Sequence, residues 1–197
     1  MRLTSIEILL RKTKTLSLYL FLLLLLSSFL HKKEEKAILV WEESRLLTWD
    51  DFRGKPAKRM SAASTHYDIL KTVSEKGSVT IEAVFFCNKS WKRISWINQQ
   101  VLEHEQKHFD IVELYARKLR QLISETKYSS SSNLKIVSDS LYTIIDKEMD
   151  VYQDKYDDET DASMNGDKQR EWNKKIPIEI KALSPYKNST FTVSFSK

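Results

Sequence analysis

Val101-Leu102-Glu103-His104-Glu105-Gln106-Lys107-His108-Phe109-Asp110 is the stretch on which the reading of this chain turns. It contains His-Glu-x-x-His. On an α-helix, residues four apart lie one above the other on the same face. His104 and His108 can therefore offer two imidazoles to one metal ion, with Glu105 beside it. Two imidazoles suit Zn²⁺, which takes nitrogen, sulfur and carboxylate ligands in tetrahedral geometry. A catalytic zinc site adds a third protein ligand and keeps its last position for water. Zinc lowers the pKa of water, and a carboxylate alongside can take the proton. That is the metalloprotease reading of the motif.

The surrounding residues support a helix. Ile97, Val101, Val112, Tyr115, Leu119 and Leu122 recur mostly three or four apart, which is helical spacing. Continuing that stripe through the gap lands on Glu105 and His108, so the motif faces inward. Charge there is costly unless it is paired or metal-bound. A His pair hydrogen-bonded in the core is the structural alternative. Lys107, Glu113, Arg117, Lys118 and Arg120 fall off the stripe and are expected on the solvated face.

Upstream, Arg2, Arg11, Lys12 and Lys14 precede an apolar run from Leu16 to Leu30. A basic segment followed by such a run is the pattern of a secretory signal. The run is shorter than the roughly 20 residues of a full membrane span. No clear small-x-small cleavage site follows it, so residues 1–31 are expected to be either a signal peptide or a retained N-terminal anchor. Either way the basic end stays in the cytoplasm. Residues 32–197 are then exported, to the periplasm, the outside or an outward-facing anchored position. Any membrane contact is confined to the N-terminal segment.

The 197-residue chain carries a formal charge of +5. Residues 1–30 hold four basic groups and one acid, Glu7, so the remainder carries +5 − 3 = +2. Without a basic patch interleaved with aromatics, nucleic acid is not an expected partner. The single cysteine, Cys87, follows Val84-Phe85-Phe86 and reads as a buried thiol; no intrachain disulfide is possible.

Along the exported part, Ala37 to Trp41 reads as a short strand, and Trp49 and Phe52 as anchors of a turn ended by Gly54 and Pro56. Thr65–Val73 and Val79–Phe86 flank Gly77 and predict a β-hairpin. Val79, Ile81, Ala83 and Phe85 share one of its faces. Ser90 is the expected cap of the motif helix, which ends near Lys127. Ser129 to Asn133 reads as a linker. A second helix is expected from about Leu134 to Tyr156, with Leu141, Ile144, Ile145, Tyr152 and Tyr156 as its apolar stripe. Glu148 and, one turn further on, Glu159 fall on that stripe. An ion pair is the reading for Glu148; for Glu159 an ion pair and a zinc ligand are both open. A short helical piece with Gln169 and Trp172 ends before Pro177, and Thr190 to Ser196 is a final strand.

Four pieces in order carry a family likeness. They are Leu47-Thr48-Trp49-Asp50-Asp51-Phe52-Arg53-Gly54, Ala62-Ala63-Ser64-Thr65, Leu102 to Ile111, and Tyr156-Asp157-Asp158-Glu159-Thr160. From Trp41 to Ile176 the chain resembles the bacterial exported family catalogued as domain of unknown function 922. Members of that family are often labelled secreted zinc-dependent proteases. The resemblance implies a zincin-like α+β fold, with a small antiparallel or mixed sheet packed on a long His-Glu-x-x-His helix and a second long helix. In the family a His commonly stands two residues after the Glu-Thr pair; here that place is Ala162.

The resulting expectation is a zinc-dependent metallopeptidase acting on a peptide or protein substrate. His104 and His108 bind Zn²⁺, Glu105 is the general base and Glu159 the third ligand. Asp161 is a substitute ligand, His31 and His66 are weaker ones, and Asp110 or Glu103 could orient a ligand histidine. The competing expectation is a catalytically inactive zincin-like binding module at the cell surface.

Overall fold

The computed structural model describes residues 37–57 and 60–196. Six strands come in chain order: β1 (Ile38–Val40), β2 (Ala63–Ser64), β3 (Tyr67–Val73), β4 (Ser78–Phe86), β5 (Trp91–Lys92) and β6 (Thr190–Thr192). Three helices lie between β5 and β6: α1 (Gln99–Glu125), α2 (Ser131–Thr160) and α3 (Gly166–Ala182). The class is α+β, with antiparallel sheets, as expected, and the short helical piece expected around Gln169 and Trp172 is a full helix of 17 residues. Residues 1–31, on which the expectation of a signal peptide or anchor falls, lie outside the described residues. Among those described, no helix is long and apolar enough to cross a membrane.

β4 is the centre of the larger sheet. β3 pairs with it along its whole length, from Tyr67 opposite Phe85 to Val73 opposite Val79. β1 and β6 both pair with β4 as well, at its two ends. The turn between β3 and β4 needs Gly77, whose φ is +80°; a Cβ there would lie 2.5 Å from the carbonyl oxygen of Val193. The alternation read from the sequence holds, since Val79, Ile81, Ala83 and Phe85 are all buried. That face packs on α1, with Phe85 and Phe109 ring centroids 5.7 Å apart. The small β2–β5 ribbon pairs Ser64 with Trp91 and leads the chain past the start of α1.

α1 is enclosed by the sheet on one side and by α2 and α3 on the others. Its long run of good helix formers, without Gly or Pro, sustains 27 residues. Of the residues expected on the solvated face, Lys107 and Lys118 are half-buried, and three are instead buried: Glu113, Arg117 and Arg120. They are tolerable because they satisfy one another. Glu113 Oε1 accepts from Arg117 Nε at 2.7 Å and from Arg120 Nη1 at 3.0 Å. Arg120 also donates to the carbonyl of Ile81 in β4, so the network ties helix to sheet.

Several boundaries differ from expectation. Asn98, not Ser90, caps α1, its side chain accepting from Val101 N; Ser90 is buried, and its hydroxyl accepts from His66 N. The serine run is no linker: Ser130 caps α2 by accepting from Asn133 N. α3 continues through Pro177 to Ala182, with Pro177 exposed, so that water can take the carbonyl its missing N–H leaves free. On α2, Ile144 and Glu148 are exposed rather than inward. Cys87 is fully buried, as read.

Candidate metal centre

α1 sets His104 and His108 one turn apart, with their rings nearly perpendicular (89°) and centroids 4.7 Å apart. Their Nε2 atoms are 3.1 Å apart. α2 runs beside α1 and contributes Asp157, whose Oδ1 lies 3.0 Å from each of those Nε2 atoms. Three donor atoms from two helices thus meet at one point. Among the described residues these three side chains form a group able to hold a metal ion. The imidazoles are almost fully enclosed, while the Asp157 side chain is 47% exposed and opens the cluster to solvent.

Aromatic packing sets the ring planes. Tyr156 stacks on His104 at 4.7 Å and 19°, and meets His108 edge-on. Trp172 from α3 backs Tyr156. The other nitrogen of each imidazole meets a buried glutamine: His108 Nδ1 lies 2.7 Å from Gln153 Oε1, and His104 Nδ1 lies 3.1 Å from Gln169 Oε1.

Glu105 is buried at 5% exposure. A buried carboxylate needs a donor, and Thr65 Oγ1 provides one, 2.7 Å from Glu105 Oε2. Two of the motif pieces, far apart in sequence, are joined by this bond.

The electrostatics are those of a negative site. Burial disfavours the charged form of His108, but the hydrogen bond and charge of Asp157, with Glu105 and Gln153, raise its pKa to about 9. Both of its ring nitrogens face acceptors, as an imidazolium requires. Burial pushes the Asp157 carboxyl upward, yet hydrogen bonds from His104 and His108 and their charge hold it well below the usual carboxylate range. Tyr67, at the start of β3, stays a neutral phenol, its pKa raised by burial and by Asp150, Asp157, Asp154 and Asp146.

Of the residues singled out from the sequence, the structure brings together His104 and His108, and the charge of Glu105 acts on His108. Glu159 lies elsewhere. It accepts from Trp172 Nε1 at 2.9 Å and pairs with Lys155 at 3.7 Å, so the ion-pair reading describes its surroundings. Asp157, two residues earlier and quoted above only within the piece over residues 156–160, is the acid that joins His104 and His108. Ala162, where the family commonly has a histidine, is exposed, in a left-handed turn after α2. Asp161 is the C-cap of α2. His66 is exposed beside β3, and His31 lies outside the described residues. Asp110 binds Trp41, Gln106 and Lys107 rather than a histidine. Glu103 reaches His104 only through Asn173 and Gln169.

Fold and cluster define an α+β domain with a His-His-Asp group compatible with a metal site. Over residues 48–166 the chain matches the family described as "Bacterial protein of unknown function (DUF922)", and it belongs to that family. No curated protein and no solved structure matches it.

Proposed function

We propose that this protein is a zinc-dependent metallopeptidase of the zincin kind, exported or anchored facing outward, with His104, His108 and Asp157 as metal ligands. One observation carries the reading: three donor atoms converge between α1 and α2, with a buried carboxylate from the motif beside them.

The donor set fits the ion. Tetrahedral zinc with ligand distances of about 2.0–2.1 Å separates its ligand atoms by about 3.3 Å. The three donors here stand 3.0–3.1 Å apart, so small side-chain adjustments would admit the metal. Two imidazoles and one carboxylate with an open side are the composition of a catalytic rather than a closed structural site.

A bound zinc ion supplies Lewis acidity toward water and a peptide carbonyl. The chain's residues supply the rest. Glu105 takes the proton of the attacking water as its oxygen adds to the carbonyl carbon, and returns it to the amine nitrogen as the C–N bond breaks. Thr65 occupies Oε2 of Glu105, which leaves Oε1 for that proton. The walls of α1 and α2 keep His104 and His108 enclosed, while the open side at Asp157 admits substrate.

The test is hydrolysis of an unfolded protein such as casein by the zinc-loaded protein and by Glu105→Gln. Expected is hydrolysis that Glu105→Gln lowers at least a hundredfold while zinc content stays the same. Equal rates in the two proteins, or none in either, would count against a peptidase and leave a metal-holding surface module.

A further inference from the structure

Gln153 touches His108 twice. Its Oε1 lies 2.7 Å from the ring Nδ1, and its Nε2 donates to the backbone carbonyl of His108 at 3.0 Å. A carbonyl only accepts, so this second bond decides which end of the amide faces the ring. Oε1 is then an acceptor, and Nδ1 carries a hydrogen.

Gln169 is oriented by a longer relay. The Glu103 carboxylate accepts from Asn173 Nδ2 at 3.5 Å, which turns Asn173 Oδ1 toward Gln169 Nε2 at 2.9 Å. Gln169 Oε1 is left facing His104 Nδ1 at 3.1 Å. Tyr156 closes the arrangement, its hydroxyl 2.8 Å from Gln169 Nε2. Both rings therefore carry hydrogen on Nδ1. With Nδ1–H held in this way, Nε2 is the nitrogen each ring presents to the spot shared with Asp157.

We infer that Gln153 and Gln169 are positioning residues that lock His108 and His104 in the Nδ1–H tautomer and so preset the metal site; the inference rests on the zinc reading above. Both acceptors are neutral amides, where a ligand histidine is often backed by a carboxylate. Asp157 is then the only charge in the ligand set. The ion keeps a net positive charge, and a carboxylate in either glutamine's place would raise ring basicity and tighten binding.

A purely structural role is distinguishable. Gln153 also ties α2 to α1 through the His108 carbonyl, a bond that neither Leu nor Glu can donate to. Glu, unlike Leu, still accepts from Nδ1. The experiment measures zinc affinity of the full chain by competition with a chromophoric chelator, together with thermal melting of the metal-free proteins. The proteins compared are the unsubstituted protein, Gln153→Leu, Gln153→Glu, Gln169→Leu and His104→Ala.

Expected is a lower melting temperature in both Gln153 variants. Zinc affinity should fall about 10- to 100-fold in Gln153→Leu and Gln169→Leu, and match or exceed that of the unsubstituted protein in Gln153→Glu. Equal loss in Gln153→Leu and Gln153→Glu, or loss in neither, would overturn the inference while leaving the metal site standing. Failure of the metal reading looks different, because the unsubstituted protein would then bind zinc no better than His104→Ala.

Discussion

Thr65 Oγ1 donates to Glu105 Oε2 at 2.7 Å, across 40 residues of sequence. The bond anchors the motif carboxylate to the segment that leads into β3, and it gives a buried charge the partner it needs. Thr65→Val removes the donor at nearly constant shape. The expected cost is roughly 1–3 kcal/mol of stability, with a fall of about tenfold or more in hydrolysis and no change in zinc content. Denaturant unfolding and metal analysis check it; unchanged hydrolysis would mean that Glu105 is not held this way.

Glu113 takes both Arg117 and Arg120 within the enclosed part of α1. Removing a partner from a buried charged group leaves the others uncompensated, at about 3–5 kcal/mol. Glu113→Gln should therefore unfold at much lower urea concentration. A midpoint within about 0.5 kcal/mol of the unsubstituted protein, the usual span of a surface substitution, would contradict the burial of this network.

Three consecutive non-glycine residues, Asp161, Ala162 and Ser163, have φ of 50°, 45° and 81°. This left-handed turn joins the end of α2 that carries Asp157 to α3, which carries Gln169. Each such residue costs about 1–2 kcal/mol against the right-handed form. Ala162 is exposed, so Ala162→Gly relieves its share, offset by about 0.5–1 kcal/mol of extra chain entropy in the unfolded state. A net gain of up to about 1 kcal/mol is expected, measured as a higher urea midpoint. A clear loss would mean that this turn is not left-handed.

In metal-free protein the His108 pKa is raised from 6.5 to about 9, chiefly through Asp157 acting against burial. A raised histidine pKa stabilises the fold fully below the unfolded value, and the contribution disappears as pH rises through the folded one. Chelator-treated protein should therefore lose melting temperature between about pH 6.5 and 9. Asp157→Asn should flatten that slope. An identical slope in both proteins would sink the assignment.

Local patterns made much of this architecture readable. The hairpin around Gly77 and the inward stripe of α1 through Glu105 and His108 depend on short-range period. Two other features depend on neighbours. Period alone puts Glu113, Arg117 and Arg120 on a solvated face, because a surface helix has one; in the structure the sheet and two helices cover this part of α1, and the charges pair internally. Ser130 was read for its polarity rather than as a cap.

The acid that joins His104 and His108 shows the same limit within one helix. Asp157, Asp158 and Glu159 are adjacent acids, and which one faces the histidines depends on how α2 is rotated against α1. Extending the stripe through Tyr152 and Tyr156 pointed to Glu159. The buried face in fact includes Met149, Gln153, Tyr156 and Thr160, and Asp157 lies one turn beyond Gln153. A polar glutamine on a buried face, followed four residues later by an acid, was the available signal.

Metal content of the purified protein bears most directly on the central claim. Elemental analysis is made on the unsubstituted protein, His104→Ala, Asp157→Ala and Glu159→Gln, each purified without chelator. The account predicts about one zinc per chain, lost in His104→Ala and Asp157→Ala and kept in Glu159→Gln. No zinc in the unsubstituted protein, or zinc kept without Asp157 and lost without Glu159, would contradict it.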